Sequence, residues 1–213
     1  MAEYRTIDYR CPYCGHTYSV RMYDVIDADS EPDLKERCRS GDIFHVSCPH
    51  CRREYMIQYP LLYIDRGLRF ALLVSEKETA PLGQLGRPLA EQGYRLRRCT
   101  SLQEFTEKIA VFEDGMDDIM VELAKYDTFI EYVDNRKGTP EDITSIEYQR
   151  TENEVMKINV RADDKSMSFL IPVSMMQEEM DASPDLYRVR EEDFPVVDSA
   201  WVISLFAPED GTA

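Results

Sequence analysis

The sequence predicts an α+β fold built in two parts, and three observations carry that prediction. Two cysteine quartets, "CPYC" at 11–14 and "CPHC" at 48–51, each run into a segment of alternating apolar and polar residues. From Ser101 onward apolar residues recur three and four apart, the period of amphipathic helices. The charge changes at the same place: residues 1–100 hold 15 Lys+Arg against 14 Asp+Glu, whereas 101–213 hold 10 against 27. A step of that size marks two differently built halves, 1–100 and 101–213.

The first quartet has the spelling of a glutaredoxin dithiol, which sits where a strand gives way to a helix whose N-terminus lowers the thiol pKa. Here the quartet is followed by "GHTYSVRMY", with Tyr18, Val20 and Met22 alternating with Ser19 and Arg21. That pattern predicts a strand to about Ile26, so the helix a redox dithiol needs is missing. "REYMIQY" after the second quartet reads the same way. Two knuckles, each heading a strand, are what a zinc ribbon uses to complete a tetrahedral four-thiolate shell. The predicted ligands are Cys11, Cys14, Cys48 and Cys51, and the predicted ion is Zn²⁺.

Gly15 supplies the left-handed conformation that the turn after the second cysteine requires, whereas Arg52 stands at the matching position of the other knuckle. A non-glycine residue held there costs about 1–3 kcal/mol. Arg52 and Arg53 also place positive charge beside a shell of net negative charge. His16, His45 and His50, the only histidines, all lie near the knuckles, but two cysteine pairs already fill four coordination positions. A filled shell predicts a structural ion rather than a catalytic one, coupled to folding.

Between the knuckles, "ADSEPDLKERCRSGDIF" predicts an inserted helix. Ser30 and Asp33 read as a capping pair, Pro32 suits the first turn and Gly41 the end. Leu34 and Cys38 share a face, which makes Cys38 a small buried apolar residue rather than a fifth ligand. "EYMIQYPLLYID" and "LRFALLVS" predict a long hairpin turning at Asp65-Arg66-Gly67, with Pro60 at an edge or bulge. Residues 81–88 read as loop, and "GYRLRRC" as a further strand whose basic residues form a solvated face.

Ser101 and Glu104 form a capping box ahead of Leu102, Phe105, Ile109 and Phe112, and Gly115 breaks that helix. A second helix follows from about Asp117 to Asn135, with Ile119, Met120, Leu123, Ile130 and Val133 on its apolar side, closing an α-hairpin. "DITSIEYQR", "EVMKINVRA" and "KSMSFLIPV" predict a small antiparallel sheet. Ser174 and Gln177 predict the cap of a short helix, 184–195 a loop, Asp198 the start of a last helix, and 207–213 a frayed tail. The full expectation is an α+β chain. A zinc-ribbon-like antiparallel β domain with a helical insertion comes first, then an acidic α-hairpin with a small antiparallel sheet.

"CPYCG", the insert "DADSEPDLKERCRSGDIF", "CPHC" and "YPLLYID" resemble, in that order, the CpXC domain family of prokaryotes. The resemblance extends over about residues 8–130 and includes "EKIAVFEDGMDDIMVELAK"; Arg52 departs from the glycine usual in that family. What it implies is a presumed metal-binding domain without an established activity, with its four cysteines falling on Cys11, Cys14, Cys48 and Cys51.

Function classes narrow accordingly. The acidic string 113–118 lacks the alternating ligands of a calcium loop, and Asp117 and Asp118 suit a helix start. There is no nucleophile elbow, phosphate loop or dinucleotide fingerprint, so no enzyme is predicted. A net charge of −16 argues against a nucleic-acid partner. No stretch reaches the roughly 20 apolar residues of a membrane helix, and the N-terminus lacks an apolar signal region, which predicts a cytoplasmic protein. The expected role is a structural zinc module presenting a surface to another protein, with a redox- or zinc-responsive thiolate switch as the alternative.

Overall fold

The computed structural model describes residues 2–77, 82–135, 138–151, 154–163 and 165–207. Its contacts form two compact units, one of residues 1–109 with 190–196 and one of residues 110–189 with 197–213. Both helices and sheets contribute, so the fold class is α+β as the sequence predicts.

The first unit opens on β1 (Glu3–Arg10), a strand that no periodicity announces, paired antiparallel with β2 (Thr17–Asp27). The register runs from Arg10 opposite Thr17 to Glu3 opposite Val25, so Cys11–Cys14 occupy the turn of this hairpin. Helix α1 (Pro32–Ser40) is the predicted insertion, with Pro32 in its first turn and Gly41 ending it at φ 79°. Ser30 does not cap it: its hydroxyl donates to the Asp27 carbonyl oxygen at 3.2 Å, and Glu31 holds the cap position without a side-chain bond. After a 3-10 turn at Asp42–Phe44, β3 (His45–Ser47) and β4 (Glu54–Met56) form a second hairpin, with Cys48–Cys51 in its turn.

The long hairpin predicted over 54–75 is therefore split. Its first arm breaks before Pro60, giving β4 to the small two-stranded sheet and β5 (Leu61–Asp65) to a larger one. Proline cannot donate to a ladder, which is why the arm divides there. Strand β5 pairs antiparallel with β6 (Phe70–Val74), and every residue of both is buried.

Residues 82–90 form helix α2 (Leu82–Ala90) rather than the predicted loop. Its glycines mislead a local reading because Gly86 serves packing: a Cβ there would lie 2.1 Å from the Glu192 carbonyl oxygen. Strand β7 (Arg95–Cys99) runs parallel to β6 and completes a five-stranded sheet in the order β1-β2-β5-β6-β7. Its basic residues are no solvated face: Arg97 is 2% exposed and its Nη1 donates to both Glu191 carboxylate oxygens at 2.9 Å. The predicted loop near 184–195 contains a 3-10 turn at Glu191–Asp193. Glu191 accepts the Leu96 N–H at 2.6 Å and the Pro195 carbonyl accepts the Arg98 N–H at 3.1 Å, which covers the free edge of β7. Leu62, Leu73, Leu96 and Phe194 share one core cluster on this sheet with Leu82 of α2.

Helix α3 (Leu102–Glu113) begins at the predicted box: Ser101 Oγ accepts the Glu104 N–H at 3.2 Å, and Glu104 reaches back to the Thr100 N–H at 2.7 Å. Helix α4 (Asp118–Asp134) is capped by Asp117, whose carboxylate accepts the Ile119 N–H at 2.8 Å. Its buried residues include Ile119, Met120 and Leu123, but Ile130 is exposed, contrary to the predicted apolar side.

Strands β8 (Ile143–Gln149), β9 (Val155–Ala162) and β10 (Lys165–Pro172) form the predicted antiparallel sheet, ordered β10-β9-β8. Tyr132 of α4 packs with Val160 and Ala162. Helix α5 (Val173–Ala182) starts before Ser174, which lies inside it and caps nothing. Helix α6 (Ser199–Phe206) is capped by Asp198, which accepts the Trp201 N–H at 2.7 Å. The predicted fraying of 208–213 falls outside the described residues, and among those described no helix is long and apolar enough to cross a membrane.

Candidate metal centre

The two cysteine quartets fold into matching turns. In the first, the Cys11 N–H donates to the His16 carbonyl oxygen at 2.9 Å and the Gly15 N–H to the Cys11 carbonyl oxygen at 3.0 Å. In the second, the Cys48 N–H donates to Arg53 at 3.0 Å and the Arg52 N–H to Cys48 at 2.8 Å. The repeated pattern forces a left-handed residue at the same place, and φ is 72° at Gly15 and 59° at Arg52. Arg52 thus holds the strained conformation its position predicts. The strands leaving both turns, rather than helices, remove the setting of a redox dithiol.

Folding brings the two turns together. Cys11 Sγ lies 3.7 Å from Cys51 Sγ, and Cys14 Sγ lies 3.8 Å from Cys48 Sγ. All four sulfurs fall within 4.8 Å of one another, and all are free thiols. Both close approaches join one hairpin to the other, so the cluster exists only because β1–β2 and β3–β4 converge. Four soft donors at these separations can hold a metal ion. Cys11 and Cys48 are buried, Cys51 is half-buried and Cys14 is exposed.

The sulfurs perturb one another. Burial opposes charge on Cys11, yet N–H groups of Cys14 and Tyr13 and the neighbouring Cys14 and Cys48 thiols bring its pKa down to about 6. Cys14 moves the other way. The His16 N–H favours its thiolate, but burial and the thiols of Cys11, Cys51 and Cys48 push it up to about 12. Thiols this close resist ionising together unless a cation joins them.

None of the histidines enters the sulfur cluster. The His16 and His50 rings stack on each other at 5.0 Å and 20°, while His45 lies 3.5 Å from Asp42. Arginines gather instead: the Arg53 guanidinium sits 4.9 Å from the Tyr13 ring centre, and Arg10 Nε donates to the Gly15 carbonyl oxygen at 3.3 Å. Cys38 and Cys99 are buried away from the cluster, and burial pushes Cys38 up to about 12, as befits an inert apolar residue.

A tyrosine cluster beside the sulfurs escapes sequence reasoning. The Tyr18 and Tyr55 hydroxyls, on β2 and β4, lie 2.5 Å apart. Tyr9 stacks on the Tyr55 ring at 6.0 Å and Tyr13 meets its edge at 5.9 Å. The available signal was a tyrosine four residues from the last cysteine in each knuckle, at Tyr18 and Tyr55.

The acidic string 113–118 is structural throughout its described contacts. Asp117 caps α4, and Asp114 accepts the Tyr148 hydroxyl at 3.1 Å and pairs with Arg150 at 3.0 Å. Compared with known proteins, residues 9–125 match the family model described as CpXC protein. No curated protein and no solved structure matches the chain.

Proposed function

This chain belongs to the CpXC family, and from that premise we propose that Cys11, Cys14, Cys48 and Cys51 hold one structural Zn²⁺ in a non-enzymatic module that presents a surface to another protein. The observation carrying the reading is the spacing of the sulfurs. A tetrahedron of Zn–S bonds of about 2.3 Å has edges of about 3.8 Å. Two of the separations are 3.7 and 3.8 Å, and all four sulfurs fall within 4.8 Å of one another.

The ion's role follows from the hairpins it joins. The β3–β4 ladder has only three residue pairs, His45 with Met56, Val46 with Tyr55 and Ser47 with Glu54. An isolated two-stranded hairpin is marginal in water. Zinc would fasten it to β1–β2 and make metal binding part of folding. A shell filled by four thiolates leaves no position for substrate, which supports display rather than catalysis. The free thiols favour a cytoplasmic setting.

The test is elemental analysis of the purified chain beside a variant with all four cysteines changed to alanine. One zinc per native chain and none in the variant is expected; a native chain without metal, or a variant that keeps it, overturns the reading. Affinity capture by the zinc-loaded chain tests the partner. No captured protein, together with turnover of some substrate, refutes it.

Exposure of Cys14 favours a second reading, a thiolate switch. Two thiolates would pass two electrons to hydrogen peroxide and form one S–S bond. The O–O bond would break, two protons would complete two waters, and the zinc would leave. Retention of zinc, followed with a chromogenic chelator at peroxide levels that disable known sensors, rules this out.

A further inference from the structure

Strand β2 is only partly paired. It meets β1 along nearly its whole length, but β5 joins its other side solely at Val25–Asp27. The edge from Thr17 to Asp24 has no sheet partner among the described residues. Strand β3 likewise pairs with β4 on one side alone. These two open edges line one groove of about 410 Å³, within the roughly 300–1,000 Å³ of ligand sites.

The lining shows how the strands meet the groove. Tyr18, Ser19, Val20 and Arg21 of β2 all border it, as do His45, Val46 and Ser47 of β3. A groove on a sheet face would meet every second residue, so consecutive ones mean that both strands are presented edge-on. Backbone N–H and C=O groups of an open edge form a template for one more strand.

The charges select what that strand carries. Arg21 and Arg37 border the groove, are exposed, and have no carboxylate partner among the described residues. Arg21 is held 4.5 Å from the Tyr4 ring centre, and Arg37 Nη2 donates to the Asp42 carbonyl oxygen at 3.2 Å. Two nearby acids bond within the chain and keep their charge. Asp8 accepts the Ser19 hydroxyl at 3.0 Å, and Asp42 lies 3.5 Å from His45. Fixed guanidinium groups beside open strand edges suit carboxylates on an extended chain. Phosphates of a nucleic acid could meet the arginines and the edge N–H groups but offer no donor to the edge carbonyls, whereas an extended peptide pairs with both.

We propose that the groove between β2 and β3 docks an extended, carboxylate-bearing segment of a partner protein as an added β-strand. This rests on the protein-interaction reading above and names its site. The probe is a fluorescein-labelled pool of peptides of about eight residues, the usual strand length, with Glu at alternate positions and Val, Ile or Thr between. Fluorescence anisotropy with the zinc-loaded full chain should show saturable binding. The paired substitution Arg21→Glu and Arg37→Glu should weaken it about tenfold or more. N-methylation of alternate peptide amides should abolish it, because it removes the donors that pair with the edge.

The idea is overturned by an absence of saturable binding, by equal binding of the N-methylated pool, or by tighter binding of oligothymidine. Both arginines are exposed, so the variant should keep its zinc and its unfolding midpoint, and this is verified first. If affinity capture yields a partner equally well from the variant, the groove assignment fails while the interaction reading stands. If the native chain captures no partner, it is the interaction reading that fails.

Discussion

Replacing Gly15 by alanine tests whether the cysteine turns rest on backbone geometry or on side-chain packing. The residue sits at φ 72°, where a side chain is strained. A Cβ there would meet nothing closer than Arg10 Nη2 at 3.4 Å, an ordinary contact with a flexible end. The cost is therefore one of backbone alone, about 1–2 kcal/mol for the left-handed conformation. Alanine also stiffens the unfolded chain, which returns about 0.4–1 kcal/mol. The net expectation is a loss of about 0.5–1 kcal/mol, or a midpoint lowered by about 1–4 °C in a chain of this size.

Arg52→Gly at φ 59° reverses the substitution, so its backbone contribution raises the midpoint. Its exposed guanidinium contributes at most about 1 kcal/mol to the thiolates, so that gain is smaller than the backbone value alone implies. Thermal unfolding of the zinc-loaded variants by circular dichroism reads both. A Gly15→Ala midpoint equal to or above the native one, or an Arg52→Gly midpoint more than about 2 °C below it, refutes the reasoning.

Three further outcomes are expected. Gly86→Ala, whose Cβ would meet the Glu192 carbonyl oxygen at 2.1 Å, should cost more than about 2 kcal/mol. It should also raise hydrogen exchange at Leu96 and Arg98, because both N–H groups bond to 191–195; unchanged exchange contradicts the packing role. Cys38→Ala should lose about 1–2 kcal/mol of burial while keeping one zinc per chain, and a fall in zinc content would make Cys38 a ligand. Asp27 is held below its usual range by the Arg66 hydrogen bond at 2.7 Å, against the opposing effect of burial. A lowered folded pKa gives stability that is full above the unfolded value of about 3.9 and lost as pH falls through the folded one. Asp27→Asn should therefore lower the neutral-pH midpoint and flatten its decline below about pH 4. A parallel decline in both proteins removes Asp27 from the account.

Much of the fold was legible because its signals are local. The α3 cap at Ser101 and Glu104, the α4 cap at Asp117 and the α6 cap at Asp198 each need only three or four neighbouring residues. The antiparallel sheet of β8, β9 and β10 announces itself by alternation. Locality also misleads. Ser30 and Ser174 have the spelling of caps, yet the cap positions of α1 and α5 fall at Glu31 and Pro172, because Ser30 turns its hydroxyl back to the Asp27 carbonyl and α5 already begins at Val173. Arg97 looks solvated in "RLRRC" because its partner, Glu191, lies 94 residues away.

The sequence alone determined the metal-site chemistry: four thiols in two short turns, one turn opened by glycine and the other strained by Arg52. Turn geometry depends on adjacent residues, so spacing reveals it. Tertiary structure decided the rest. It brought the two turns within bonding reach of one ion and locked Tyr18 to Tyr55. It also left the edges of β2 and β3 facing a common groove. Those arrangements depend on which distant strands pair and which remain open, and no periodicity along the chain encodes that choice.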